Sequence, residues 1–96
     1  MPALDWKGKS RSGGAATVIG SVVVLPPNSK RIGATIQNDG ANPMYVSKGD
    51  VAVVNTGVAL LVAGAAYEIN FVNPWYGAIS VACVAAAQNI CWTEDE

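Results

Sequence analysis

The chain has 96 residues, enough for one domain, and 51% of them are hydrophobic while only 14% are charged. Its formal net charge of −1 provides no electrostatic footprint for nucleic acid. Because soluble domains usually carry roughly 25% charged residues, the composition predicts that other subunits cover much of this surface.

The first part of the chain is basic, rich in serine and glycine, and has no apolar periodicity. Such a segment is typical of an extended arm, so we divide the chain into a flexible N-terminal arm at 1–15 and a folded domain at 16–96. A tryptophan brings a large apolar area with few torsions, so it can anchor an arm in a neighbour or fold back on its own domain. The residues of the arm that we expect to bind a partner are Trp6, Lys7, Lys9 and Arg11.

A basic start followed by an apolar run at 15–25 also resembles a secretory signal. Gly20 and Ser21 interrupt that run, Pro26-Pro27 ends it, and no small-x-small cleavage site follows. We therefore favour a first strand at 17–25, which is rich in β-branched residues and too short to cross a bilayer. No membrane association is expected.

The stretch 31–46 predicts two strands and their connection. Ile32, Ala34 and Ile36 alternate with other residues, as expected for a strand with one buried face. A polar tip follows before Met44 restarts an extended run, and the pattern fits either a hairpin or a short β-arch. The tip residues that we regard as a possible contact loop are Asn38, Asp39 and Asn42.

Short β-patterned runs and turn signals alternate through the rest of the chain. Tyr67, Ile69 and Phe71 alternate with other residues and are expected on an inner face. Seven or eight short strands with turns every eight to twelve residues predict an all-β fold, a compact β-sandwich with jelly-roll-like connectivity. The runs after 17–25 that we expect to be extended are 31–37, 44–47, 51–54, 58–62, 67–72, 78–84 and 89–93.

Two cysteines are too few for a disulfide scaffold, and their spacing matches no zinc signature. A hairpin centred on Ala87 would place Cys83 opposite Cys91, close enough to bridge. However, Cys83 continues the apolar row of its strand, whereas Ile90 and Trp92 leave Cys91 on the opposite face of theirs. We therefore expect two free thiols in a protein made in a reducing compartment.

The sequence offers little catalytic chemistry. It has no histidine, which removes the commonest general base and metal ligand. The carboxylates Asp39, Asp50 and Glu68 are not paired, and no glycine-rich phosphate loop is present. A calcium site at Asp39 is an alternative to turn chemistry, and we favour the turn. We predict no enzyme activity, no metal and no cofactor.

An aromatic cluster follows the Asn73-Pro74 break. Trp75 and Tyr76, with Trp92 as a third member, suggest either a carbohydrate or peptide platform or a plug for one end of the sandwich. We favour the plug because no cluster of polar side chains surrounds them in sequence. Both residues are retained as possible contact positions.

The chain resembles small capsid cement or decoration proteins of tailed bacteriophages, and the resemblance extends from Arg31 to Glu94. It rests on Arg31, Ala34-Thr35-Ile36-Gln37-Asn38, Gly40, Pro43-Met44-Tyr45-Val46, Gly57-Val58-Ala59-Leu60, Ala63-Gly64, Tyr67-Glu68-Ile69 and Trp75-Tyr76-Gly77-Ala78-Ile79. The resemblance implies a compact β-sandwich, often preceded by a short arm, that assembles as a dimer or trimer on a particle.

We therefore expect a virion structural protein, made in the host cytoplasm, that bridges and stabilises neighbouring major capsid subunits on the capsid surface. Low charge, high apolar content and a basic arm agree with that role. The alternative is a module of a phage tail or head fibre that binds a host glycan through Trp75, Tyr76 and the tip at 38–42.

Overall fold

The computed structural model describes residues 9–96, which form two four-stranded antiparallel sheets packed face to face. The strands are β1 (Ser10–Ala16), β2 (Gly20–Leu25), β3 (Gly33–Asn38), β4 (Met44–Lys48), β5 (Val58–Leu60), β6 (Ala66–Ile69), β7 (Ile79–Cys83) and β8 (Asn89–Asp95). Within this range no helix is long and apolar enough to cross a membrane. The prediction of an all-β sandwich is confirmed.

The strand order is β1-β8-β3-β6 in one sheet and β2-β7-β4-β5 in the other. Strand β1 pairs with β8, β2 with β7, β3 with β6, and β4 with β5. This nested pairing is that of one long antiparallel ribbon folded over on itself. Because all consecutive strands except β4 and β5 belong to different sheets, most connections cross the sandwich at its two ends.

Alternating side chains of both sheets build the core. In β3, Ala34 and Ile36 point inward, and in β7 the inward row is Ile79, Val81 and Cys83. Both rows were expected from the period of two. Ile32 was also expected to be buried, but it precedes β3 in the loop and is 41% exposed.

Strand β4 lies in the opposite sheet from β3, so the stretch 31–46 is a β-arch and not a hairpin. A hairpin would require the two strands to hydrogen-bond to each other. Instead β3 pairs with β6 and β8, and β4 pairs with β5 and β7. The polar tip therefore carries the chain from one sheet to the other.

The structure corrects the predicted boundary of the arm. Residues 10–15, which the sequence placed in the arm, lie in β1 and pair in regular register with β8. The serine- and glycine-rich pattern gave no strand signal because the pairing comes from a partner at the far end of the chain. Residues 1–8 of the predicted arm, with Trp6 and Lys7, lie outside the described residues.

Other predicted strands are shorter than expected, and one is absent. Strand β2 begins only at Gly20, and residues 51–54 form no strand. Strand β6 ends at Ile69, where Asn70 turns the chain, and Phe71 is 80% exposed. Phe71 is therefore not on an inner face, because the Asn70 side chain accepts from the backbone N–H of Val72 and replaces the strand ladder with a turn.

Both cysteines are free thiols. Cys83 is buried in β7 of one sheet, whereas Cys91 is half-buried in β8 of the other. The side chain of Ile90 points into the core, so Cys91 faces outward, as its phase in the sequence indicated. The alternative of a bridged hairpin is wrong.

Candidate interaction surfaces

The loops of the sandwich gather at two ends that differ in chemistry. One end is formed by the connections 17–19, 39–43, 61–65 and 84–88, and we call it the apolar end. Its exposed apolar side chains are Val18, Ile19, Leu61, Val62 and Val84. Ile19 is 77% exposed and Val62 is 67% exposed, so these residues lie open to solvent in the described chain.

Thr17 joins two of the loops at the apolar end. Its side chain is buried and its hydroxyl donates to the carbonyl of Ala85 at 2.7 Å and accepts from the N–H of Gln88 at 2.9 Å. The backbone of Thr17 adds bonds to Ala87 and Gln88. The loop 17–19 is therefore fixed against 84–88, which holds Ile19 and Val84 on one surface.

Asn38 joins the other two loops. Its amide Nδ2 donates to the carbonyls of Leu60 at 2.8 Å and Asn42 at 3.0 Å, and its Oδ1 accepts from the N–H of Gly40 at 2.8 Å. The side chain is completely buried. Asn38 is therefore not the contact residue that the sequence suggested, because a buried amide with three bonds holds the loops in place and offers nothing to a partner.

Gln88 joins the loop 84–88 to the loop 39–43, because its side-chain oxygen accepts a hydrogen bond from the backbone N–H of Ala41 at 2.8 Å. Asp39 is exposed and is the only charged residue of these four loops. Its carboxylate accepts from Asn89 Nδ2 at 2.8 Å. Asn42, the third predicted tip residue, is half-buried beside Asn38. The apolar end is thus a hydrogen-bonded platform with exposed aliphatic side chains and one carboxylate.

The opposite end, which we call the charged end, is where Lys9 and Glu96 exchange both backbone hydrogen bonds. Here Glu94, buried in β8, accepts from Arg31 Nε at 2.7 Å and from Arg11 Nε at 3.0 Å. Arg31 is itself fully buried, whereas the Arg11 side chain is more than half exposed and lies 5.7 Å from the centre of the Trp92 ring.

Arg31 fixes the loops at the charged end. Its guanidinium donates to the carbonyls of Pro26 at 2.8 Å, Trp75 at 3.1 Å and Gly77 at 2.7 Å. A buried cation with this many acceptors is satisfied and structural. No sign of this pair is visible in the sequence, because nothing in the local pattern indicates that residues so far apart meet.

Burial raises the pKa of Glu94, but hydrogen bonds from Arg11 and Arg31 and their positive charges outweigh it, so the pKa lies below its ordinary value of 4.5. The carboxylate in turn raises the pKa of Arg11, chiefly through the hydrogen bond. The ion network is therefore held in its charged form at neutral pH.

The two predicted aromatic contact residues, Trp75 and Tyr76, differ in their exposure to solvent. Trp75 is half-buried against the core, its indole N–H donates to the carbonyl of Ala78 at 2.8 Å, and Lys48 lies 6.0 Å from its ring centre. Tyr76 is 53% exposed. Both line a cavity of about 120 Å³ beside Arg31, well below the roughly 300 Å³ at which ligand pockets begin.

The sequence-predicted sites therefore come together only in part. Arg11 meets Glu94, and Lys9 is exposed at the same end, while Asn38, Asp39 and Asn42 lie at the other end. The aliphatic residues of the apolar end were missed because they were counted as strand residues. The signal available in the sequence was run length. An apolar run such as 58–62 is longer than a short edge strand, so its last residues extend into the loop. Among residues 9–96, no three His, Cys, Asp or Glu residues are grouped as metal ligands.

No protein-family model matches the chain, and neither the curated proteins nor the solved structures yield a match.

Proposed function

We propose that this protein is a non-enzymatic capsid cement or decoration protein that bridges and stabilises neighbouring major capsid subunits. The observation that carries the proposal is the uneven distribution of charge: the loops of the apolar end expose aliphatic side chains with a single carboxylate, whereas exposed apolar side chains at the other end, such as Val72, lie among most of the charges. An exposed apolar patch on a soluble protein marks an interaction site. The apolar end then docks on the shell and the charged end faces outward.

The rigidity of the apolar end agrees with this role. Thr17, Asn38 and Gln88 fix its loops by hydrogen bonds, so little loop entropy is lost when the surface docks. A rigid apolar platform suits a protein that must bind many identical positions. Exposed aliphatic side chains near both edges of this end, Ile19 in the β1–β2 connection and Val62 in the β5–β6 connection, would be buried in each contact.

The connectivity supports the proposal by analogy. The nested strand pairing agrees with the jelly-roll-like connectivity that we propose, an architecture shared by viral capsid and lectin domains. Fold alone does not specify function, so this point adds to the surface argument and does not replace it. The resemblance seen in the sequence supports the same assignment, with a homo-oligomer, a dimer or trimer, on the capsid surface.

A shell-loading experiment tests the proposal. Tailed-phage heads that have been stripped of this protein are mixed with the purified chain and sedimented. We expect the double variant Ile19→Asp/Val62→Asp to fold and to lose loading by at least about tenfold, because charges replace an apolar side chain near each edge of the docking surface. The control Val72→Asp alters a side chain that is 93% exposed at the charged end and should load normally. Normal loading of the double variant would refute docking through the apolar end.

A glycan-binding module of a tail or head fibre is the alternative. The indole N–H of Trp75 is engaged by Ala78, and the adjacent cavity is small, so the predicted platform is largely used within the fold. Binding of the purified chain to a glycan array, abolished by Tyr76→Ala, together with failure to load on heads, would favour the alternative.

A further inference from the structure

Three of the four sheet edges are protected against pairing with another chain. Strand β2 contains a register shift between Val23 and Leu25 and is followed by Pro26-Pro27. Strands β5 and β6 have only 3 and 4 residues. Short strands, bulges and prolines are the usual devices that prevent edge-to-edge association.

Strand β1 has none of these devices. It has 7 residues, keeps an unbroken register with β8 and contains no proline. Its single charged residue, Arg11, is engaged by Glu94. A long and regular edge of this kind is a template for an added strand.

The alternation of hydrogen bonds between β1 and β8 shows which backbone groups of β1 are available to another strand. Lys9 and Glu96 exchange both bonds, so alternate residues of β1, starting with Arg11, also bond to β8. The N–H and C=O groups of the intervening residues point away from the sheet. These residues are Ser10, Ser12, Gly14 and Ala16, and no strand among residues 9–96 pairs with that side of β1.

We infer that this edge binds a second copy of the chain, with the two β1 strands antiparallel about a two-fold axis at Gly13. In this register Ser12 faces Gly14 of the second copy and Ser10 faces Ala16, so every outward group finds a partner. Gly13 faces Gly13 as a non-hydrogen-bonded pair, at about 4.5 Å between Cα atoms. The two sheets then join into one continuous sheet across the dimer.

The side chains in β1 favour a copy of the same strand as the occupant. Arg11 would face Ala15, so no two like charges oppose each other. The closest pair is two glycines, and the Trp92 ring covers each of them, since a Cβ built on Gly13 would lie 2.7 Å from Trp92 Cζ2. Each half-buried Trp92 would therefore lie beside its counterpart at the axis, where pairing buries the remaining ring surface.

The inference extends the proposed function by naming the surface of the homo-oligomer. Its tests use purified protein without shells. A failure here therefore leaves shell docking through the apolar end untouched, and a failure of shell docking leaves this pairing untouched.

Sedimentation of the full chain at increasing concentration, with Ser12→Pro and Ser12→Ala, tests the pairing. Proline at 12 removes an outward N–H without removing a bond to β8, whereas alanine keeps that N–H. We expect a dimer whose dissociation constant rises at least about tenfold with Ser12→Pro and changes less than about threefold with Ser12→Ala. A chain that is monomeric at all concentrations, or a dimer that Ser12→Pro leaves intact, would overturn the proposal.

Amide hydrogen exchange locates the contact independently. The N–H groups of Ser10, Ser12, Gly14 and Ala16 should become protected as the concentration rises, while those of Arg11, Gly13 and Ala15 are protected throughout. Protection of the first set in dilute monomer would show that the chain covers its own edge, and would refute pairing with a second copy. Unprotected outward amides in the dimer would place the dimer contact elsewhere and refute it as well.

Discussion

Arg31 and Glu94 form an ion pair inside the sandwich, with Arg31 Nε donating to Glu94 Oε2 at 2.7 Å and both side chains almost completely buried. Arg31 precedes β3 and Glu94 lies near the end of β8, so the pair joins the two inner strands of one sheet at the charged end. Through Arg31 it also fixes the carbonyls of Pro26, Trp75 and Gly77. The architecture of the charged end therefore depends on one carboxylate.

Glu94→Gln should destabilise the fold by about 3–5 kcal/mol, because it leaves the charge of Arg31 buried without a counter-ion. Urea unfolding followed by tryptophan fluorescence measures the free energy of unfolding. The matched control is Asp95→Asn, which removes the neighbouring half-buried carboxylate and should change stability by less than about 1 kcal/mol. Equal effects of the two variants would contradict the role given to Glu94.

The same carboxylate predicts a pH dependence. The pKa of Glu94 lies below 4.5 in the folded chain, so the unfolded chain binds the proton more readily. The stabilisation is complete above the unfolded pKa of about 4.5 and is lost as the pH falls through the lower folded value. The free energy of unfolding should be measured for the unsubstituted chain and for Glu94→Gln between neutral pH and about pH 2. The excess stability of the unsubstituted chain should shrink only in the acid range. An advantage that stays constant down to acid pH would contradict this assignment.

Asn38→Asp should weaken the apolar end. The substitution keeps an acceptor for Gly40 but removes the donors that satisfy the carbonyls of Leu60 and Asn42, and it places a carboxylate in a buried position. We expect a loss of about 2–4 kcal/mol and faster exchange of the amide hydrogen of Gly64, which donates to the Asn38 carbonyl. The control Asn42→Asp alters a half-buried neighbour whose backbone carbonyl makes the contact, and a similar loss there would contradict the hub role of Asn38.

The parts of the fold that the sequence predicts are those determined locally. Strand β3 and strand β7 alternate with a period of two, and that period alone assigns their buried faces. Strand β1 was not predicted because its serines and glycines have no β signal and are ordered only by pairing with β8. The ion pair of Arg31 and Glu94 was not predicted for the same reason, since two charges become buried only when distant segments of the chain satisfy them together.

The exposed surfaces were harder to predict than the core. A period of two does not show where a strand stops, so Val62 was counted with its strand and Phe71 with the inner face of its own. The sequence predicted a turn near Asn38 but not that its side chain would be completely buried. Which loop residues face solvent depends on the hydrogen bonds between loops, and these follow from the sheet order.

Two glycines with positive φ provide a test of local backbone constraints. Gly57 has φ +78 and a Cβ built there would lie 2.5 Å from the carbonyl oxygen of Val46, whereas Gly64 has φ +93 with nothing within 4 Å. Gly64→Ala should therefore cost only the backbone strain, about 1–2 kcal/mol, while Gly57→Ala adds a clash with strand β4. Urea unfolding should show the loss at Gly57 exceeding that at Gly64 by at least about 1 kcal/mol. Equal losses would mean that the turn shifts away from Val46 at little cost, and that the contact between the 55–57 turn and β4 does not constrain this part of the sheet.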